Sequence, residues 1–420
     1  MDKILVHGGR RLSGSIKVSG SKNSSLPILA ATLLTREPCV VHGVPDLSDT
    51  NYMLQILAHL GAQVERASGT VTVTAEKIHC VAPYDVVRKM RASVCVLGPL
   101  LGRCKEASVA LPGGCVIGDR PIDLHLKGFE ALGAAVRVES GDIKVFAPKL
   151  TGATIDMQGK FGPTVLGTDN VMMAAVLANG VTVIEAAACE PEVVDLANFL
   201  NKMGAKIEGA GTDRITIEGV PELNCAEHRV IPDRIEAGTF LVAGAIAGDG
   251  VTVKRVEPEH VRAVTDALAK CGYAVDVGRD SISVLPNGDA SALEIVTEPY
   301  PGFPTDMQAQ MCALLSTNRG TSSVTENIFP QRYMHVAELK RMGAHVHLEG
   351  ATAMIEGVDS LLGAPVMASD LRASAALVLA GLKADGITEV SRVYHIDRGY
   401  EHLDEKLQEI GAHIERVKSE

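Results

Sequence analysis

The 420-residue sequence contains no tryptophan, and aromatic residues make up only 3% of it. Single-stranded nucleic acid is held by aromatic stacking platforms along a basic groove, and duplexes by clustered Lys and Arg that neutralise phosphates. This chain offers neither, having no Lys/Arg run and a formal charge of −11, so no nucleic-acid partner is expected. It also lacks any run of about 18 uninterrupted apolar residues, the length a membrane helix needs. The N-terminus, MDKILVHGG, lacks the charged start and long apolar stretch of a secretory signal. These absences predict a cytoplasmic protein without a membrane partner.

The nine cysteines, at 39, 80, 95, 104, 115, 189, 225, 271 and 312, are odd in number and form no CxxC pair, which argues against a disulfide framework or a zinc site. GxGxxG after a strand and HExxH are missing. The near miss GSIKVSGSKNSS places Gly14 and Gly20 one residue too far apart for a phosphate loop, with Ser21 intervening before Lys22. No cofactor and no metal are expected. An anionic ligand would have to be held by a local cluster of cations.

What the chain does have is apolar material, 46% against 22% charged, enough for more than one core. It also has a repeat. HLGAQV, ALGAAV, KMGAKI, KCGYAV, RMGAHV and EIGAHI recur with glycines at 61, 133, 204, 272, 343 and 411, spaced by 72, 71, 68, 71 and 68 residues. These periods are too long for a solenoid and read as six small α/β modules, each a helix end, a glycine and a strand start. A second landmark shares the period: an apolar stretch such as SKNSSLPILAATLL, RASVCVLGPLLG, TDNVMMAAVLANG or LRASAALVLAGLKADG. Helices apolar almost all round should be buried, with the amphipathic ones outside. Two groups of three modules are expected, broken near 230 at HRVIPDRIEAG.

The repeat superposes equivalent helix starts. Lys22, Arg91 and Arg372 open three of the apolar helices, and Glu236 and Asp306 two others. Carboxylates complement a helix N-terminus, whereas a cation there is unfavourable unless an anion joins it. The three cations therefore point to an anion site between the domains, set against the plainer reading that each side chain reaches solvent. LPGGCVIGDRP (111–121) adds a thiol, Cys115, on a glycine-rich stretch beside Arg120. Neighbouring cations lower a thiol's pKa from about 8.5, and the glycines predict a mobile loop.

KVSGSKN (17–23), LPGGCVIGDRPID (111–123), FPTDMQAQ (303–310), DLRASAALVLAG (370–381) and HIDRGYEHLDEKL (395–407), together with the six repeats, resemble the enolpyruvyl transferase family, and within it the branch that acts on UDP-N-acetylglucosamine. The resemblance runs from about residue 3 to residue 419. It implies a two-domain inside-out α/β barrel, three repeats per domain, with domains at 22–231 and at 1–21 plus 232–420. It implies transfer of the enolpyruvyl group of phosphoenolpyruvate to the 3'-hydroxyl of UDP-N-acetylglucosamine in the first committed step of peptidoglycan synthesis, and sensitivity to the epoxide fosfomycin. Phosphoenolpyruvate is assigned Lys22, Asn23, Arg120, Arg332, Arg372 and Arg398. The UDP-sugar is assigned Asn23, Arg91, Arg120, Pro121, Ile122, Asp123, Leu124, Asp306 and Ile328. The family pattern resembling SVGAT is replaced by KFGPTVLGTDN (160–170), so no contact is carried over for 160–166.

The implied catalytic residues are Cys115, Asp306 and Lys22. Addition across the enol requires a proton at the methylene carbon and removal of one from the sugar hydroxyl, for which Cys115 is the expected acid and Asp306 the base. Asp306 alternatively belongs to a Thr305–Gln308 capping box. Two other functions stay open: the related transfer to shikimate phosphate, and a non-catalytic nucleotide-sugar binding protein in which Cys115 is a redox thiol. Oligomeric state is left undetermined.

Overall fold

A computed structural model of the chain describes residues 2–111, 122–286 and 290–418. Within these the chain forms two compact units, one from 2–19 and 232–418, the other from 20–111 and 122–231.

The six periodic glycines have one local job. Each has a positive φ, at 99°, 93°, 102°, 95°, 89° and 99° for Gly61, Gly133, Gly204, Gly272, Gly343 and Gly411, a backbone region glycine enters without a Cβ penalty. Each follows an outer helix, and the two amides after the helix turn back onto it. Ala62 N bonds Leu57 O at 3.0 Å and Gly61 N bonds Ala58 O at 3.0 Å; Ala134 to Phe129, Ala205 to Leu200, Tyr273 to Leu268, Ala344 to Leu339 and Ala412 to Leu407 repeat the pattern. This Schellman closure satisfies carbonyls the helix leaves open and aims the chain into the next strand.

The apolar helices are buried as expected. From Ser24 onward every residue of Lys22–Ala31 is buried, as are all of Gln308–Leu315 and all but the first residue of Arg234–Ala247. One departs from expectation: the stretch from 91 to 104 splits into a 3-10 turn, Arg91–Val96, and an α-helix, Leu97–Cys104. Pro99 has no amide to offer the Cys95 carbonyl and its ring crowds that oxygen, so the α-helical ladder loses its bond at the point where the 3-10 turn gives way to the helix. Where Leu97–Cys104 meets Val165–Ala175, a Cβ on Gly98 would lie 2.2 Å from Asn170 O. Asn170 uses that closeness: its Oδ1 accepts from Gly98 N at 2.7 Å, and its Nδ2 donates to Val94 O at 2.8 Å and faces His125 Nδ1 at 3.0 Å.

Around the buried helices of each unit lie three four-stranded sheets. All six share one plan, a parallel edge pair followed by two antiparallel neighbours, as in Thr154–Asp156, Val181–Glu185, Arg214–Glu218 and Lys206–Glu208. The sixth sheet is completed from the far end of the chain. Asp2–His7 lies antiparallel between Ile387–Ser391 and His413–Lys418, and the next strand, Leu12–Lys17, runs parallel to Gly248–Lys254. Both N-terminal strands thus belong to the unit formed mainly by the second half of the chain. Among the described residues, no helix is long and apolar enough to cross a membrane.

Candidate active site

In the unit that holds the N-terminal strands, Asp306 stands between two arginines. Its Oδ1 accepts from Arg332 Nη1 at 2.8 Å, and its Oδ2 from Arg372 Nε at 3.1 Å and Nη2 at 2.9 Å. Arg372 is the second residue of Leu371–Lys383, whose N-cap, Asp370, accepts from the Arg372 and Ala373 amides. Its side chain is 1% exposed, which rules out the solvent-reaching reading. The guanidinium lies 5.1 Å from the centre of the Tyr400 ring, and the Tyr400 hydroxyl bonds Thr239 at 2.9 Å and Gln310 at 3.2 Å. Burial pulls the Arg372 pKa down, but Tyr400, Asp306 and Asp233 outweigh it and the net shift is upward. The same balance, with Asp306 and Asp370 opposing burial, raises that of Arg332. Nη1 of Arg372 is buried and has no hydrogen-bond partner among the described residues.

The Thr305–Gln308 capping box is not formed. Thr305 begins a short 3-10 turn with no side-chain cap, because its hydroxyl is engaged elsewhere, donating to Glu326 Oε2 at 2.8 Å and accepting from Arg332 Nη1 at 3.1 Å. Glu326, fully buried, also takes the hydroxyl of Thr297 at 2.8 Å and the amides of Ile328 and Phe329, each at 2.9 Å. It thereby anchors both the turn before Asp306 and the expected sugar contact Ile328. Sequence reasoning missed Glu326, Tyr400 and Gln310. Glu326 sits in an unremarkable strand exit, ENIF, and the two hydroxyls it accepts, from Thr305 and Thr297, are 21 and 29 residues away. Arg398 is half-buried at the end of the 3-10 turn Val393–Arg398, and its charge, after burial, holds the His395 pKa down.

In the other unit, Lys22 is the first residue of Lys22–Ala31, after the N-cap Ser21. Its side chain is only 12% exposed and its Nζ lies 3.5 Å from Asp49 Oδ2, so a buried carboxylate compensates the cation at the helix start. The next turn is pinned by Asp195, which accepts from the Ser24 hydroxyl, from Ile231 N at 3.1 Å and, through its other oxygen, from His228 Nε2 at 2.8 Å. Asn23 and Arg91 are half-buried. Ile122, Asp123 and Leu124 lead into Asp123–Ala131, on which buried His125 has its pKa pushed down to about 4 by burial and then by Arg91. Cys115, Arg120 and Pro121, and the mobility expected of the 111–121 loop beyond Leu111, lie outside the described residues.

This arrangement holds two guanidiniums, one with a spare donor, around a carboxylate that both of them engage. The family model described as EPSP synthase (3-phosphoshikimate 1-carboxyvinyltransferase) matches residues 6–407. A protein of Akkermansia muciniphila named UDP-N-acetylglucosamine 1-carboxyvinyltransferase is 61% identical over 420 residues, covering 99% of each chain. One of the same name from Methylacidiphilum infernorum is 58% identical over 419 residues and covers both chains completely. Among solved structures, the enolpyruvyl transferase NikO from Streptomyces tendae superposes with a TM-score of 0.90 at 26% identity, over 100% of this chain and 99% of that one. An EPSP synthase from Acinetobacter baumannii shares the fold, with a TM-score of 0.75 at 17% identity over the whole of both chains. Its two units of three repeated α/β modules are those of the inside-out α/β barrel, and the chain belongs to the enolpyruvyl transferase family.

Proposed function

We propose that the chain transfers the enolpyruvyl group of phosphoenolpyruvate to the 3'-hydroxyl of UDP-N-acetylglucosamine and releases phosphate, the first committed step of peptidoglycan synthesis. The observation that carries this reading is full-length identity of 58 to 61% to relatives named for that activity. In the addition step, the sugar oxygen bonds the substituted enol carbon while a proton joins the methylene carbon. In the elimination step that carbon gives a proton back and the C–O bond to phosphate breaks.

In this reading Arg332 and Arg372 take the carboxylate of phosphoenolpyruvate, while Lys22, Arg120 and Arg398 take its phosphate. Asn23 serves both substrates, and Arg91, Arg120 to Leu124, Asp306 and Ile328 the nucleotide sugar. Guanidinium forks suit both anionic groups because they offer parallel donors. Both oxygens of Asp306 are engaged by arginines, so accepting a proton from the sugar requires a guanidinium to be drawn off. An anion arriving at the spare Nη1 of Arg372 would do this, making the base available only when phosphoenolpyruvate is bound. Cys115 is assigned the proton delivery to carbon.

The test is phosphate release from phosphoenolpyruvate, measured with and without UDP-N-acetylglucosamine and with shikimate 3-phosphate in its place. Release only with the UDP-sugar supports the reading. Equal release without an acceptor, or release with shikimate 3-phosphate alone, overturns it.

A further inference from the structure

On the sixth sheet, two histidines from opposite ends of the chain face each other. His7, at the end of Asp2–His7, is paired in register with His413, the first residue of His413–Lys418. Residues directly opposite in an antiparallel pair share a face, and so do residues two apart on one strand. Glu415 therefore joins them on the outer face, while Val6 and Ile414 point into the core. The two rings stack with centroids 3.8 Å apart and planes within 9°.

Their Nε2 atoms converge on one oxygen. Glu415 Oε1 lies 3.4 Å from His7 Nε2 and 3.3 Å from His413 Nε2, and the ligand atoms of all three residues lie within 4.8 Å of one another. His7 Nε2 is shut off from solvent yet has no hydrogen-bond partner among the described residues; the carboxylate is near but wrongly directed. A buried polar atom without a partner calls for an explanation. A tetrahedral zinc ion with arms of about 2.0–2.1 Å holds its ligands about 3.3–3.4 Å apart along each edge, matching both nitrogen–oxygen separations.

We propose that His7, His413 and Glu415 bind a divalent transition-metal ion of the zinc type, linking the first strand of the chain to the last. Two imidazoles and one carboxylate select such a cation over magnesium or calcium, which prefer oxygen ligands throughout. Parallel rings aim their lone pairs side by side, so one ring turns on binding; His413, with 47% of its side chain exposed, has room to do so. Half-exposed His413 and Glu415 leave the fourth position to water. The sequence excluded zinc from cysteine spacing and local motifs, and neither could register a site whose ligands meet only through strand pairing.

The test uses the full-length chain, stripped by a chelator and titrated calorimetrically with zinc chloride. Wild type should bind one equivalent at this site, and its unfolding midpoint should rise with zinc. His413→Ala, on a solvent-facing position, should fold, lose at least about tenfold in affinity and lose the zinc-dependent rise; His7→Ala should match it. Cobalt(II) separates this site from cysteine binding, since only thiolate ligands add a near-ultraviolet charge-transfer band. The proposal is overturned if wild type binds no zinc, if both variants bind it as wild type does, or if all bound cobalt shows the thiolate band.

Discussion

Both contacts of Arg372 with Asp306 fall on a single oxygen, Oδ2, at 3.1 Å from Nε and 2.9 Å from Nη2, which leaves Oδ1 to Arg332. A carboxylate so divided bridges two buried guanidiniums and offsets part of their combined charge, and it is the proposed base. Asp306→Asn retains the shape and one accepting oxygen but cannot take a proton. Turnover should fall by about 10²–10⁴, while phosphoenolpyruvate binding holds or tightens because two cations lose their internal partner. Phosphate-release kinetics alongside equilibrium binding check this. Turnover within a few-fold of wild type would reduce Asp306 to a structural counter-ion.

Asp195 is expected to act at a distance on Lys22. Its carboxylate accepts three hydrogen bonds, from Ser24, Ile231 and His228, and Ser24 lies in the first turn of the helix that Lys22 opens. Asp195→Asn replaces one accepting oxygen with a donor, and a buried group left unmatched costs about 1–3 kcal/mol. The urea midpoint should drop accordingly, and the Michaelis constant for phosphoenolpyruvate should rise. An unchanged midpoint would mean the network contributes nothing to folding.

Asp169 is buried with both oxygens lacking a hydrogen-bond partner among the described residues. Burial first, then Glu192 and Glu190, pushes its pKa well above the ordinary value of 3.8. The native state therefore keeps a proton that the unfolded chain releases, so the stabilisation is complete in acid and is lost as pH rises past the carboxylate range. Asp169→Asn has no proton to lose. It should raise the unfolding temperature at pH 7 and bring it close to wild type at pH 4; lower stability at pH 7 would refute a protonated Asp169.

His125 runs the other way. Its pKa falls from 6.5 to about 4, so its neutral form contributes stability above pH 6.5 that is lost as pH falls toward 4. His125→Gln keeps an acceptor for the Asn170 amide and removes the titration. Unfolding midpoints of the variant should decline less between pH 6.5 and 4 than those of wild type, and parallel curves would contradict the assignment.

The local parts of the fold were legible because their causes are local. The six periodic glycine signatures, five Gly-Ala and one Gly-Tyr, mark Schellman closures whose hydrogen bonds span five residues at most, and the apolar stretches announce burial whatever surrounds them. A proline's effect is equally local: the pattern of RASVCVLGPLLG predicts one helix, whereas Pro99 removes the bond to Cys95 and the α-helical part is Leu97–Cys104. The cations at helix starts stand out in sequence because the helix dipole sets a sign that a residue type can violate, but the carboxylate that faces Lys22, Asp49, is visible only in the fold.

What sequence by itself determined, then, was the module, its repetition and the residue types displayed where modules begin. Tertiary structure alone decided the partners. Asp306 lies 66 residues from Arg372, and Asp195 lies 171 from Ser24. The Thr305 hydroxyl is drawn out of its own turn by Glu326, which follows the strand Thr321–Thr325. Side-chain hydrogen bonds and ion pairs reach about 3 Å, so which groups meet is set by how sheets and helices bring distant segments together, a three-dimensional condition with no period in the chain.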